Sequence, residues 1–445
     1  MKLSDYVAEF LTKNGITDVF TVTGGGAMHL NDSLGHKEGL KCTYNHHEQA
    51  CAIAAEGYAR LTNKIAAVCV TTGPGGTNAL TGVVGGYLDS IPMLIISGQV
   101  KRETMISASK VPLRQLGDQE FNIVDCVKTM TKYAEVVYEP EKIRYCLEKA
   151  LYLANNGRKG PCWIDIPLDV QASIIEPDKL EGLELGKEDE ESRIYDERYS
   201  LDIINKISEA KRPAILVGTG IRLSESRDEF IKMAEKLQIP VLTAWNAHDV
   251  IWDNHELFCG RPSTVGTRGG NFVVQNCDLL LVLGCRLNIR QIGYNYKTFA
   301  KDAYKIIVDI DKNELQKPTI SPDLAINADV KDVINSINKL EYNPNNIEHK
   351  KWLKWCKEIN KKYPVVLEEY YGKEEPINPY VFIKELSHEL KDNDNIVCGN
   401  GSACVITFQG FELKENQRLF TNSGCASMGY GLPAAVRMCG CKISR

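Results

Sequence analysis

Ile65-Ala-Ala-Val-Cys-Val70, Thr71-Thr-Gly-Pro-Gly-Gly-Thr-Asn78 and Leu88-Asp-Ser-Ile-Pro-Met-Leu-Ile-Ile-Ser-Gly-Gln99 lie close together in a chain of 445 residues. The first run is short, apolar and closed by a glycine-rich loop, as a strand buried on both faces requires. The loop joins three glycines to a proline and hydroxyl side chains and opens a helical segment. Such a loop offers backbone amides to an anion, or lets a ring lie flat on bare backbone. Asp89-Ser-Ile-Pro92 then turns the chain into a second apolar run, Met93-Leu-Ile-Ile-Ser97. Strand, loop, helix, turn and strand make a βαβ unit, which sets the fold class as α/β.

The same pattern extends outward. Asp18-Val-Phe-Thr-Val22 and Trp163-Ile-Asp-Ile166 read as further strands. Ser4 is expected to cap a helix whose Tyr6, Val7, Phe10 and Leu11 share one face and which Asn14-Gly15 ends. Residues 1–175 thus form one doubly wound parallel-sheet unit. An acidic stretch from Glu176 to Glu197 has little to bury and reads as a linker. A second unit, 196–340, carries the strands Arg212-Pro-Ala-Ile-Leu-Val-Gly218, Ile239-Pro-Val-Leu242, Asp278-Leu-Leu-Leu-Val-Leu-Gly284 and Tyr304-Lys-Ile-Ile-Val-Asp309. A charged linker, 340–375, holds a helix around Lys350 to Lys362. A third unit, 376–445, opens with a helix near Asn378 and a strand Asn395-Ile-Val-Cys398, followed by Gly399-Asn-Gly-Ser402.

Length alone calls for more than one core. The 43% apolar and 25% charged residues are those of a water-soluble globular protein. A net charge of −5 argues against nucleic-acid binding, which needs a basic face. No signal peptide and no run of 18 apolar residues is present, so a cytoplasmic protein with no membrane partner is expected. The 15 cysteines are scattered, mostly in apolar contexts such as Cys69 and Cys162, and read as reduced core thiols. Cys439 and Cys441 have the wrong spacing for a zinc site.

Two features carry chemistry. Val22-Thr-Gly-Gly-Gly26 follows a strand, and its Gly25 and Gly26 would let backbone approach a ligand, though a plain tight turn serves the same sequence. Glu48, in Tyr44-Asn-His-His-Glu-Gln-Ala50, stands at the mouth of a helix rich in small residues. There an acid either answers the helix dipole or holds a proton on a bound heterocycle.

The chain resembles the thiamine-diphosphate-dependent enzymes of the acetolactate synthase and pyruvate oxidase group. The resemblance is carried by His47-Glu-Gln49, Ala55-Glu-Gly-Tyr-Ala-Arg60, Thr72-Gly-Pro-Gly75 with Thr77-Asn78, Tyr87-Leu-Asp-Ser-x-Pro and Ser97-Gly-Gln99. It continues through Gly157-Arg-x-Gly-Pro161, Asp165-Ile-Pro167, Asp309-Ile-Asp311 and Ser427-Met-Gly-Tyr-Gly-Leu-Pro-Ala-Ala435. It implies pyrimidine-binding, central and diphosphate-binding domains in that order, the last incomplete. It implies that Glu48 shares a proton with the pyrimidine nitrogen of thiamine diphosphate, favoured in a dry pocket, so that the cofactor's exocyclic nitrogen can deprotonate the thiazolium carbon. That carbon would attack a 2-keto acid and accept the electrons left by carbon dioxide.

By the same resemblance Pro74, Asn78, Gly25 and Gly26 line the cofactor, Gln119 lies near the reacting carbon, and Met428 wedges beneath the cofactor. The last role stands against an ordinary core methionine. Asn400, Gly401 and Ser402 match the turn near the pyrimidine and diphosphate, though acetolactate synthases usually carry a different tetrad there. Arg158 matches an arginine that contacts flavin. Gly266-Thr-Arg-Gly-Gly270 and Gly284-Cys-Arg-Leu-Asn-Ile-Arg290 depart from the usual flavin loops, which leaves FAD open. Asp309 and Asp311 hold ribose hydroxyls or cap the next helix, and capping is the simpler expectation.

Acetolactate synthase is the best single name for the activity implied, a carboligation of a decarboxylated 2-keto acid such as pyruvate with a second carbonyl compound. Asp118, where an aromatic is usual, would discourage a second anionic keto acid. This favours a relative acting in cell-surface sugar biosynthesis, or a simple decarboxylase. The family shares its active site between two chains, so a homodimer or tetramer is expected.

The magnesium site implied by the resemblance is a Gly-Asp-Gly segment beyond Ala435, with a later asparagine. No Gly-Asp-Gly occurs in these residues, so no metal ligand is assigned. The tail Val436-Arg-Met-Cys-Gly-Cys-Lys-Ile-Ser-Arg445 leaves the family pattern and reads like a truncation or frameshift. On that reading the product would be partly disordered after about residue 376 and prone to aggregate at unpaired sheet edges. A catalytically dead fragment is the corresponding alternative.

Overall fold

In the computed structural model the described residues are 1–184, 195–372 and 375–436. The centre of the acidic linker and nearly all of the tail discussed above, with Cys439 and Cys441, lie outside them. The chain divides into two compact units, Met1–Gly186 with Asn422–Arg445, and Lys187–Thr421.

The first unit is built on a six-stranded sheet of β1 (Asp18–Thr21), β2 (Lys41–Tyr44), β3 (Ala66–Val70), β4 (Met93–Gln99), β5 (Tyr133–Val136) and β6 (Pro161–Pro167). The order is β2-β1-β3-β4-β6-β5, and every pairing is parallel. Side chains on a strand alternate between faces, and the sequence uses both. Ala67, Cys69, Leu94, Ile96, Cys162, Ile164 and Ile166 enter one apolar core with the helices Leu3–Lys13, Met28–His36 and Ile143–Asn155. Ala66, Val68, Val70, Met93, Ile95 and Trp163 enter the opposite core with the helices Glu48–Thr62, Pro74–Leu88 and Ile123–Val127. Two buried faces explain why the strands are continuous apolar runs.

Ser4 does not cap the first helix. The N-cap is Lys2, without a side-chain bond, and Ser4 is buried where its hydroxyl accepts from Ser33 Oγ at 2.8 Å. The start of this helix is fixed instead by distant backbone: Met1 donates to the Ile175 carbonyl at 2.8 Å and Leu3 to that of Ser173 at 2.8 Å.

The second unit holds a five-stranded parallel sheet of β7 (Pro213–Val217), β8 (Val241–Thr243), β9 (Leu279–Leu283), β10 (Tyr304–Asp309) and β11 (Leu324–Asn327), ordered β11-β10-β9-β7-β8. It too has a core on each face. The same unit contains a small parallel sheet, β12 (Asn395–Val397) with β13 (Arg418–Phe420), covered by the helix Gly401–Gly410 through Phe408, Phe411 and Leu419. The expected helices appear as Ile347–Lys362 and Pro379–Glu389, the latter capped by Asn378. Asp311 accepts from Asn313 N as an N-cap, and Asp309 accepts from Asp311 N at 2.9 Å. The capping expectation holds for Asp311.

Thirteen cysteines among the described residues are free, and most are buried. Among the described residues no helix is long and apolar enough to cross a membrane.

Candidate active site

In the first sheet the chain steps from β1 to β2 on one side and returns to β3 on the other. A doubly wound sheet opens its crevice at such a reversal, outside the carboxyl ends of the strands. The loops leaving β1 and β3 meet there. Gly26 N donates to Thr71 Oγ1 at 3.0 Å, and the Gly26 carbonyl accepts from Gln171 Nε2 at 2.7 Å. Gly25 and Gly26 therefore form a braced turn, Gly25–Ala27, beside the 71–78 loop.

Glu48 starts the helix that follows β2. Its N-cap is His47, whose Nδ1 accepts from Gln49 N at 3.2 Å. Glu48 is 8% exposed, and Asn78 Nδ2 donates to its Oε2 at 2.9 Å. Among the described residues no hydrogen bond reaches Oε1. A shielded carboxylate with one oxygen braced and the other available is what a heterocyclic ring nitrogen would meet, so these residues fit the pyrimidine of thiamine diphosphate. Beside it, burial pushes the Cys51 thiol up to about 11, so it stays neutral.

Asn78 reaches Glu48 because the helices Glu48–Thr62 and Pro74–Leu88 run almost in backbone contact. A Cβ placed on Gly82 would stand 2.5 Å from Ala52 Cβ. Pro74 is the first residue of its helix, where its missing N–H costs nothing. Gly73, just before it, has φ +60°, and an added Cβ would meet the Gln119 carbonyl at 2.1 Å. Gln119 itself is exposed and holds φ +58°, an unusual conformation for a non-glycine residue that concentrates at functional sites. Its neighbour Asp118 is exposed as well.

Met428 belongs to the same unit. Its carbonyl accepts from Gln49 Nε2 at 3.0 Å, and its side chain is 81% exposed. The Met428 side chain is therefore not part of this unit's core. The sheet thus gathers Glu48, Asn78, Pro74, Gln119, Gly25, Gly26 and Met428 into one unit, most of them at its carboxyl edge. Arg158 does not join them. Its Nε donates to Ser90 Oγ at 2.9 Å, at the edge where β4 and β6 begin, roughly 20 Å away along strands of this length. Asn400, Gly401 and Ser402 lie in the second unit, where Asn400 precedes the helix Gly401–Gly410 and Gly401 has φ +67°.

Two buried networks carry no role in the sequence reading. In one, Arg60 Nε donates to Glu56 Oε1 at 2.7 Å and Arg60 Nη2 to Asp89 Oδ2 at 2.6 Å, while Tyr430 OH donates to Glu56 Oε2 at 2.6 Å. Burial disfavours the Glu56 carboxylate, and the Arg60 charge and the Tyr430 hydroxyl oppose that. The i,i+4 spacing of Glu56 and Arg60 on an alanine-rich helix is the signal that would have found the pair. In the other, Asp165 joins Ser97 and Gln99, which lie 68 and 66 residues away from it, so no local pattern shows that they meet. Among the described residues no three His, Cys, Asp or Glu side chains stand together as a metal site.

Residues 1–120 match the model of the thiamine pyrophosphate enzyme N-terminal TPP binding domain, and residues 201–337 that of the thiamine pyrophosphate enzyme central domain. The chain is 31% identical over 433 residues to the acetolactate synthase large subunit of Lactococcus lactis, covering 97% of this chain and 72% of that protein. It is likewise 31% identical to the acetolactate synthase isozyme 1 large subunit of Escherichia coli, covering 97% and 73%. For the chloroplastic acetolactate synthase 1 of Nicotiana tabacum the identity is 31%, covering 98% of this chain and 64% of the relative.

Proposed function

Because this chain belongs to the thiamine pyrophosphate enzymes, we propose that it serves an acetolactate synthase-like carboligation, in which a 2-keto acid such as pyruvate loses carbon dioxide and its remaining two-carbon unit is joined to a second carbonyl compound. The buried Glu48 carboxylate, braced on one oxygen by Asn78, carries this reading. When bound, thiamine diphosphate supplies an acidic thiazolium carbon and a positive ring that accepts electrons. Glu48 holds the proton at the pyrimidine nitrogen through Oε1. Asn78 keeps the carboxyl group from turning, and Gly25, Gly26 and Pro74 let backbone approach the ligand. Gln119 presents its amide to the substrate side. Magnesium enters only through the family resemblance, and no step is assigned to it. Flavin binding is a separate proposal, to be read from quenching of FAD fluorescence by the purified chain.

The decisive variant is Glu48→Gln. A positioned acid–base group contributes about 10²–10⁴-fold, so proton exchange at the thiazolium carbon is expected to fall by that order while circular dichroism is unchanged. Near-normal exchange in the variant would overturn the assignment.

Asp118 supports a second reading of the acceptor. An exposed carboxylate one residue from Gln119 repels an anion and tolerates an aldehyde. Products from pyruvate alone, compared with pyruvate plus an aldehyde, separate the two. The reading extends to a cytoplasmic homodimer or tetramer. The free cysteines and the exposed Met428 and Leu432 support it, since exposed apolar patches mark contact surfaces.

A further inference from the structure

Gln99 is buried at the carboxyl end of β4 and uses every hydrogen-bonding capacity it has. Its amide nitrogen donates to Asp165 Oδ2 at 3.1 Å and to the Phe121 carbonyl at 3.0 Å. Its amide oxygen accepts from Thr72 Oγ1 at 2.5 Å and from Val100 N at 3.0 Å. Two donor hydrogens and two acceptor sites are all that a glutamine offers, so only one orientation of the amide satisfies the site. Behind it, Asp165 Oδ1 accepts from Ser97 Oγ at 2.5 Å, and Ser97 Oγ accepts from Trp163 Nε1 at 2.7 Å.

The two outer ends of this chain of bonds are the two loops of the candidate site. Thr72 lies in the turn 71–73 that leads into the helix Pro74–Leu88, whose Asn78 braces Glu48. Phe121 lies two residues after Gln119, whose carbonyl backs onto Gly73. The Gln99 amide therefore joins the loop that positions Glu48 to the turn that carries Gln119. We propose that Asp165 is a positioning residue: its carboxylate fixes the Gln99 amide, and the amide holds these two loops in register. The catalytic sense of this rests on reading that edge of the sheet as the active site.

The network requires a carboxylate. A hydrogen on Oδ2 would face the Gln99 amide hydrogens. A hydrogen on Oδ1 would displace the Ser97 hydroxyl hydrogen from its acceptor. Turning the Gln99 amide over would set its NH2 against the Val100 amide and its oxygen against the Phe121 carbonyl. Yet burial pushes Asp165 up to about 7, against the hydrogen bonds from Ser97 and Gln99.

The elements packed around Asp165 bring no charge to bear on it. Glu135 on β5 is exposed, and the helix Pro74–Leu88 has no charged side chain. Asp125 on the helix Ile123–Val127 is exposed and paired with Lys128 at 2.6 Å. Asp169, just after β6, is paired with Arg102 at 2.7 Å, and the helix Ile143–Asn155 packs on the opposite face. The register of the two loops therefore follows the protonation of Asp165.

Amide hydrogen exchange of the full chain, corrected for intrinsic rates and followed across pH values either side of about 7, tests this without turnover. In the wild type, residues 71–78 and 119–123 are expected to lose protection together, by about tenfold, as pH falls through this range, because these segments part while Asp165 stays buried, whereas global unfolding, which hydrates Asp165, becomes rarer. Asp165→Asn, which cannot titrate, should abolish that dependence. Gln99→Leu should loosen both segments at every pH, and Thr72→Val should loosen the first more than the second. The proposal is overturned if the pH dependence survives in Asp165→Asn, or if a folded Gln99→Leu protects both segments as the wild type does. A chain that shows the coupling but ignores thiamine diphosphate would defeat the functional reading and leave the loop coupling standing.

Discussion

Replacing Asn78 by alanine removes the donor to Glu48 Oε2 and leaves a buried carboxylate oxygen without its partner. A hydrogen bond to a charged group is worth about 1.5–3 kcal/mol, so proton exchange at the thiazolium carbon should fall by about ten- to a hundredfold in Asn78→Ala. An unchanged isotope-exchange rate would detach Asn78 from the site. Asp165 makes a prediction of a different kind. Its folded value of about 7 lies above the ordinary aspartate value, so between about pH 4 and about pH 7 the folded chain keeps a proton that the unfolded chain has released. Stability should fall as pH rises through that window and level off above it, by about 4 kcal/mol in all. Urea denaturation of wild type and Asp165→Asn across this range should show the variant gaining on the wild type; a constant gap would mean that Asp165 titrates normally. Glu48 is legible in the sequence because an acid opening an alanine-rich helix stands out. Asp165 and Gln99 stand out only as parts of the motifs Asp165-Ile-Pro167 and Ser97-Gly-Gln99, with no role attached, because their meaning comes from partners on another strand.

At the scale of elements, the pair of helices Glu48–Thr62 and Pro74–Leu88 sets the distance between Glu48 and Asn78. Gly82→Leu would drive a side chain into Ala52 and part the helices. Overpacking of this kind costs typically 1–3 kcal/mol, and here it should also lower cofactor affinity, because Asn78 moves with its helix. Thermal unfolding and cofactor titration measure the two effects, and a destabilised variant with full affinity would show that the helix spacing does not govern the site. The strands are legible as bounded apolar runs, since burial on both faces leaves little room for polar residues. The first helix is legible too, but its start is not. Ser4 looks like a cap, whereas Lys2 occupies that place, because Leu3 and Met1 are tied to residues 170 and 174 positions away.

At the scale of the molecule, three α/β units describe the sequence, and the structure has three sheets, of six, five and two parallel strands, with the small β12–β13 sheet inside the second of two compact units. The sequence shows the strands as bounded runs, and the β12–β13 region keeps a small apolar cluster of its own. Residues 422–436 return to the first unit, where Tyr430 donates to Glu56 and Gly424 N donates to Asp89 Oδ1 at 3.0 Å. Arg60→Ala would leave Glu56 and Asp89 buried with no countercharge from Arg60. Breaking such a network typically costs 3–5 kcal/mol, so the first unit should unfold earlier while the second keeps its transition. Calorimetry resolves this, and a shift of both transitions by equal amounts would contradict it.

The bonds running from Trp163 through Ser97, Asp165 and Gln99 to Thr72 have a further consequence, for how this sequence can drift. Donors and acceptors along them match in only one direction. A single exchange of acid for amide at Asp165, or of amide for acid at Gln99, leaves two like groups facing each other. Lineages that change one position should therefore carry a second change at the other, so these two sites ought to evolve as a unit even where their neighbours vary freely.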